Sequence, residues 1–259
     1  MGKKLIIANW KMNLGISEGS LFVHKLDTLV GRHPDIEIVI APTILALQPI
    51  HLQVQHHHFN LGAQNFYWQD SGAFTGEISA AQLRGLVKYA LVGHSERRHI
   101  FGERGKDLRN KVQAAYRNEI IPVLCVGETA IERSDNETND VLHDQLVGGL
   151  ANITSEEAER LVIAYEPVWA IGTGKTATPG DIERAIKAIR SQVKHLFGAE
   201  TAKKVRVLYG GSVSVDNASS ILGTAGVDGL LVGGASLDVH AFAEIIKKAH
   251  SPKVAKKKA

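Results

Sequence analysis

Eight short runs of β-branched and other apolar residues recur along the chain, at 5–8, 36–40, 59–63, 89–92, 121–126, 161–165, 205–209 and 229–232. Each is apolar continuously rather than at alternate positions, the mark of a strand buried on both faces. Between them lie segments of helical period, such as Leu21, Phe22, Lys25, Leu26 and Leu29, or Ile182, Ala185, Ile186, Ile189 and Val193. A parallel sheet covered by helices meets both requirements. Eight such units in about 250 residues match a closed (β/α)8 barrel, eight parallel strands with eight outer helices. An open doubly wound sheet shares the periodicity, which does not register closure. No Pro/Gly/Ser-rich linker splits the 259 residues. Residues 1–250 are therefore expected to form one α/β domain, and the Lys-rich stretch 251–259 a solvated tail.

Composition excludes several function classes. With 44% apolar and 22% charged residues the chain has material for a large core. The early apolar run at 5–8 is far too short for a membrane helix or an export signal, so no membrane partner is expected. Position 6 is Ile where an N-myristoylation motif requires Ser or Thr. One cysteine, Cys125, excludes an intramolecular disulfide and suits a reducing compartment, pointing to the cytoplasm. Of the net charge of +3, four positive charges come from Lys253, Lys256, Lys257 and Lys258, leaving −1 for the rest. No basic face interleaved with aromatics offers itself to nucleic acid.

A barrel of this kind binds ligands where strands end and loops lead into helices. Those positions hold Asn9-Trp10-Lys11, Gln64-Asn65, Gly93-His94-Ser95-Glu96, Gly127-Glu128, Glu166-Pro167, Gly210-Gly211-Ser212 and Gly233-Gly234. Glu166, at the end of an apolar run, is expected to face a site with its basicity raised by desolvation, as a general base requires. A strand-end glutamate by itself is more often solvated or ion-paired, but residues 167–177 follow it. That loop has an apolar middle, Val168, Trp169, Ala170 and Ile171, which is unfavourable unless it folds over something, as a lid does. Thr178-Pro179-Gly180-Asp181 then supplies an N-cap, a first-turn proline and an acidic residue to open the next helix.

His94 precedes Ser95, which is placed to cap a helix beginning at Glu96. Positive charge is disfavoured at a helix start, so the imidazole is expected to stay neutral and donate an N–H. Lys11 offers a cation to an anionic substrate. The glycine pairs at 210–211 and 233–234 follow the last two strands, where backbone N–H groups of such barrels often approach phosphate. One Gly-Gly pair usually marks only a turn, but two at these positions point to an anion site, with Gly172 as a further donor.

The motifs Asn9-Trp10-Lys11-Met12-Asn13, Val92-Gly93-His94-Ser95-Glu96-Arg97-Arg98, residues 164–175 (AYEPVWAIGTGK) and Tyr209-Gly210-Gly211-Ser212-Val213 together resemble the triosephosphate isomerase family, in order and over nearly the whole chain. The resemblance implies that Glu166 abstracts a proton, His94 acts on the carbonyl oxygens, and Asn9 and Lys11 bind substrate. It further implies that Gly172, Ser212, Gly233 and Gly234 hold phosphate, that Glu96 supports the site from behind, and that no metal or organic cofactor takes part. The implied reaction interconverts dihydroxyacetone phosphate and glyceraldehyde 3-phosphate. Two rival functions share these residues: a barrel that binds phosphate without catalysis, and a lyase that eliminates phosphate from the same enediolate.

Residues 65–77 hold four of the chain's 15 aromatics in one interstrand loop. Such a loop either folds onto its own barrel or forms an isologous dimer contact. The resemblance favours a homodimer, with Phe74 and Thr75 inserted beside the partner's Lys11 region. His56-His57-His58 lies outside the family pattern, and successive side chains there could not all face one metal. Gly148-Gly149 is expected to interrupt a helix.

Overall fold

The computed structural model describes residues 3–31, 33–54, 58–172 and 175–250. His56, His57, Thr173 and Gly174 of the loop read as a lid, and the tail 251–259 lie outside the described residues. The eight apolar runs are eight strands: β1 (Lys4–Asn9), β2 (Ile36–Ala41), β3 (Phe59–Ala63), β4 (Tyr89–Val92), β5 (Ile121–Val126), β6 (Val162–Tyr165), β7 (Arg206–Tyr209) and β8 (Gly229–Val232). All neighbours pair parallel in chain order, and β8 closes on β1, with Leu5 opposite Gly229 and Ala8 opposite Val232. The chain folds as a closed (β/α)8 barrel.

The continuous apolar runs have the reason expected of them. Alternate residues of a strand point to opposite faces, and here both faces are covered. Leu5, Ile7, Val39, Tyr89, Leu91, Val123, Cys125, Leu208 and Leu231 fill the barrel interior. Their neighbours Ile6, Ala8, Ile38, Ile40, Ala90, Val92 and Leu124 pack outward against the helices. Cys125 is fully buried in the interior layer, and burial pushes its thiol up, so it serves as a small apolar side chain.

The helical layer is more divided than eight equal helices. Long helices such as Gly105–Arg117 and Pro179–Phe197 are accompanied by one-turn pieces, including Ser95–His99, Ala130–Ser134 and Ser155–Ala158. The glycine pair at 148–149 does not interrupt its helix, which runs from Thr138 to Leu150. Gly149 faces β5, where a Cβ would meet the Leu124 side chain at 3.1 Å. The glycine trades helix propensity for close packing of helix on strand. No described helix is long and apolar enough to cross a membrane.

Candidate active site

The C-terminal ends of the strands converge on a cavity of about 300 Å³. Its lining includes Asn9, Lys11, His94, Glu166, Gly172, Ser212, Gly233 and Gly234, drawn from β1, β4, β6, β7, β8 and the loop after β6. Glu96 stands one layer back. Every residue put forward for chemistry or substrate binding is therefore in the cavity or in contact with a residue that is.

Glu166 is 2% exposed, directly after β6. Its Oε2 accepts a 2.8 Å hydrogen bond from the Ser95 backbone N–H. Its Oε1 lies 3.1 Å from His94 Nε2, but the pair is not aligned as a hydrogen bond, and Oε1 is buried without a donor. A buried oxygen without a partner costs free energy. It also leaves a lone pair unengaged beside the cavity, where a base needs one.

The helix Ser95–His99 is capped by His94 rather than Ser95. The imidazole Nδ1 accepts from the Glu96 backbone N–H at 3.3 Å. A ring nitrogen that accepts carries no proton, which leaves the N–H on Nε2, the atom facing Glu166 and the cavity. The capping oxygen that Ser95 offers is superseded because the ring occupies that place, and the Ser95 amide serves Glu166 instead.

Lys11 has φ of 52°, a left-handed conformation that costs a non-glycine residue about 1 kcal/mol or more. Its N–H donates to Asn9 Oδ1 at 3.1 Å, and its carbonyl accepts from Gln64 Nε2 at 2.9 Å. The ammonium pairs with Glu96 Oε1 at 2.6 Å, partly exposed on both sides. That pair is worth little to stability, but it fixes where the cation points.

The loop after Glu166 is anchored at both ends. Thr178 caps the helix Pro179–Phe197, its hydroxyl accepting from Asp181 N–H and its own N–H donating back to the Asp181 carboxylate. At the near end Trp169 Nε1 donates to Glu128 Oε1 at 2.8 Å, and the Tyr165 hydroxyl donates to the same carboxylate at 3.1 Å. Glu128 is fully buried. The Arg133 guanidinium lies 4.2 Å over the Trp169 ring and 2.9 Å from Asp181 Oδ1, so one side chain touches both anchors. Sequence reasoning placed Glu128 on the rim without a role and missed Arg133. The signal for Glu128 was a carboxylate directly after an apolar strand, the same signal that marked Glu166.

Gly211 answers to packing more directly than to anion approach. A Cβ there would stand 2.3 Å from the Tyr209 hydroxyl and 2.9 Å from Pro167. The loop 65–77 divides in two: Phe66 is buried, Trp68 packs against the core and Arg117 bonds Asp70, while the tip 71–77 is open, with Phe74 40% exposed. Tyr67 stacks on Trp68 with ring centroids 4.1 Å apart and meets Phe74 at 4.5 Å. His58 bonds Asp27 through Nδ1 at 2.7 Å.

A family model described as triosephosphate isomerase matches residues 4–249. Proteins named triosephosphate isomerase from Endomicrobium trichonymphae and Carboxydothermus hydrogenoformans are each 44% identical to this chain over 248 residues, covering 95% of it and 99% of their own length. One of the same name from Chloroherpeton thalassium is 45% identical over 251 residues, 96% of this chain and 100% of its own.

Proposed function

The chain belongs to the triosephosphate isomerase family, and from that premise we propose that its cavity interconverts dihydroxyacetone phosphate and glyceraldehyde 3-phosphate, serving glycolysis and gluconeogenesis in the cytoplasm. The observation that carries the reading is the convergence of Glu166, His94 and Lys11 on one cavity with the glycine loops after β7 and β8. Glu166 takes a proton from C1 of the ketone and returns it to C2, while the hydroxyl proton passes from the oxygen on C1 to the oxygen on C2. Between those steps the charge sits on an enediolate. His94 Nε2–H and the Lys11 cation, already in place, stabilise it. Asn9 orients the reacting end. Gly172, Ser212, Gly233 and Gly234 bind the phosphate, far from the reacting carbons, and its binding energy draws the lid over the intermediate. Glu96 is a positioning residue that holds Lys11. The barrel of residues 1–250 carries all of this as one domain, with 251–259 an appendage.

The same chain is proposed to work as a homodimer. The reading is supported by an exposed loop tip at Phe74 and Thr75 and, next to its base at Gly76 and Glu77, a cavity of about 280 Å³ that Lys11, Met12, Ile44 and Gln64 also line, so that a two-fold contact could seat the tip of each copy in the cavity of the other. Thr75→Glu would bury an unpaired charge there, at a cost of several kcal/mol. Sedimentation should then show monomers of low activity, and an unchanged profile with unchanged activity would exclude the contact.

A coupled assay for glyceraldehyde 3-phosphate, with methylglyoxal measured alongside, separates the isomerase from both rivals. A binding module gives neither product and a lyase gives mainly methylglyoxal. Deleting residues 170–174 with a short linker leaves the base in place but uncovers the enediolate. Isomerisation should slow and methylglyoxal per turnover should rise. Parental values of both would show residues 167–177 to be ordinary surface.

A further inference from the structure

A cleft larger than the substrate cavity lies on the outer, helical layer. It has a volume of about 670 Å³ and lies between the helices Ala130–Ser134, Thr138–Leu150 and Pro179–Phe197. Arg133, Arg184 and Lys187 line it, against a single carboxylate, Asp181. That carboxylate is already engaged. Its Oδ1 accepts from Arg133 and Arg184, and its Oδ2 from the Thr178 N–H and hydroxyl. The lining side chains themselves thus carry two more positive than negative charges, with Arg133 also facing the buried Glu128 from behind, beside the amides of Asn136 and Asn139, which pair with hydroxyl groups as donors and acceptors. Such a lining suits an anion that also carries hydroxyls. The volume is in the range that holds a whole metabolite, roughly 300–1,000 Å³, and is more than twice that of the substrate cavity.

Arg133 makes the cleft more than a basic surface. From the cleft wall its guanidinium stacks on Trp169, approaches Glu128 Oε1 at 3.6 Å and bonds Asp181. It thus joins the near and far anchors of the 167–177 loop. An anion in the cleft competes with Asp181 and Glu128 for that guanidinium, and any arrangement it favours is passed to Trp169 by direct contact.

We propose that this cleft is a second ligand site that takes a doubly anionic, hydroxyl-bearing sugar phosphate larger than a triose, and that its occupancy loosens the loop over the active site through Arg133. The effect on the loop rests on the isomerase reading above; the binding itself does not.

The test uses the full chain and fructose 1,6-bisphosphate as probe, by calorimetry, with the substrate cavity saturated by glycerol 3-phosphate. One equivalent should still bind, with Kd on the order of 0.1 mM. Arg184→Glu and Lys187→Glu should each weaken it at least about tenfold while leaving turnover without probe at the parental rate. Inorganic phosphate at matched ionic strength should bind the cleft more weakly than the bisphosphate, since it lacks the hydroxyls and the second anionic group. In turnover assays the probe should lower kcat by roughly two- to fivefold with KM nearly constant, raise methylglyoxal per turnover, and do neither in Arg184→Glu. Probe binding that glycerol 3-phosphate abolishes, or that both charge reversals leave intact, overturns the site. Phosphate binding the cleft as tightly as the bisphosphate overturns the ligand class. Binding that meets these expectations with kcat and product ratio unmoved overturns the coupling. Calorimetry reads the site without turnover, so failure of the isomerase assignment alone would leave the binding result standing.

Discussion

The two ends of the barrel solve opposite problems with similar residues. At the N-terminal ends of the strands, Glu37 accepts hydrogen bonds from Lys88 at 2.6 Å, Arg206 at 2.7 Å and Asn60 at 3.1 Å, while Arg206 also donates to the Tyr89 hydroxyl at 2.7 Å. Within this network each charge has an opposite partner, and both Glu37 carboxylate oxygens and the Tyr89 hydroxyl oxygen have a donor. At the C-terminal ends, Glu166 keeps one buried oxygen without a hydrogen bond, and Lys11 is held in a left-handed conformation. A satisfied network at the base of the barrel stabilises the fold. The unsatisfied rim stores free energy that a substrate releases by supplying the missing partners. The difference teaches that a carboxylate at a strand end is structural or chemical according to what its second oxygen meets.

That contrast breaks first at the rim. Glu166→Asp keeps the carboxylate but withdraws it by one methylene, so kcat should fall by roughly 10²-fold or more with KM little changed and the melting temperature nearly constant. A kcat within a factor of about two of the parent would show that Glu166 is not the base.

Glu37→Gln should do the reverse, costing about 2 kcal/mol of stability near neutral pH by leaving two cations short of their anion, with kcat unchanged. Burial alone would raise the Glu37 carboxyl, but hydrogen bonds from Lys88 and Arg206 hold it below the ordinary glutamate range. The folded state thus favours the charged form, so its contribution is present above about pH 5 and is lost as the pH falls below about 4. Denaturant midpoints measured from pH 7 to 3 should therefore fall less steeply for Glu37→Gln than for the parent. Parallel curves would remove Glu37 from the acid response.

The smallest effect concerns Trp169, where the loop after Glu166 meets Glu128. Trp169→Phe removes the donor to buried Glu128, worth about 1 kcal/mol, while keeping an aromatic face for Arg133. Methylglyoxal per turnover should rise by no more than about fivefold, because the loop remains anchored at Thr178. A yield equal to that of the loop deletion would make Trp169 the principal anchor, and an unchanged yield would exclude it as one.

Strand positions were legible from sequence because a strand buried on both faces has one signature, and β3, β4, β5 and β8 have the bounds that the apolar runs predict. The positions of Glu166, His94 and Lys11 at one cavity were legible because the barrel puts strand ends at one rim and all three follow apolar runs there, whereas any one of them alone would have had an ordinary structural reading. The continuity of the helix through Gly148 and Gly149 was not, since whether a glycine breaks a helix or admits a neighbour depends on what lies opposite, here Leu124. Nor was the cap at His94, because Ser95 and His94 both offer an acceptor and only the three-dimensional path of the chain selects the ring.

By itself, then, the sequence determined the alternation of strand and helix, the rim on which chemistry would gather and the family to which the chain belongs, all of which follow from local patterns of polarity and from motifs read in order. Closure of β8 on β1, the parking of Glu166 on the Ser95 amide and the span of Arg133 from Trp169 to Asp181 were decided by tertiary structure alone. Each joins residues between 36 and about 225 positions apart, and periodicity carries no information about pairing over such separations.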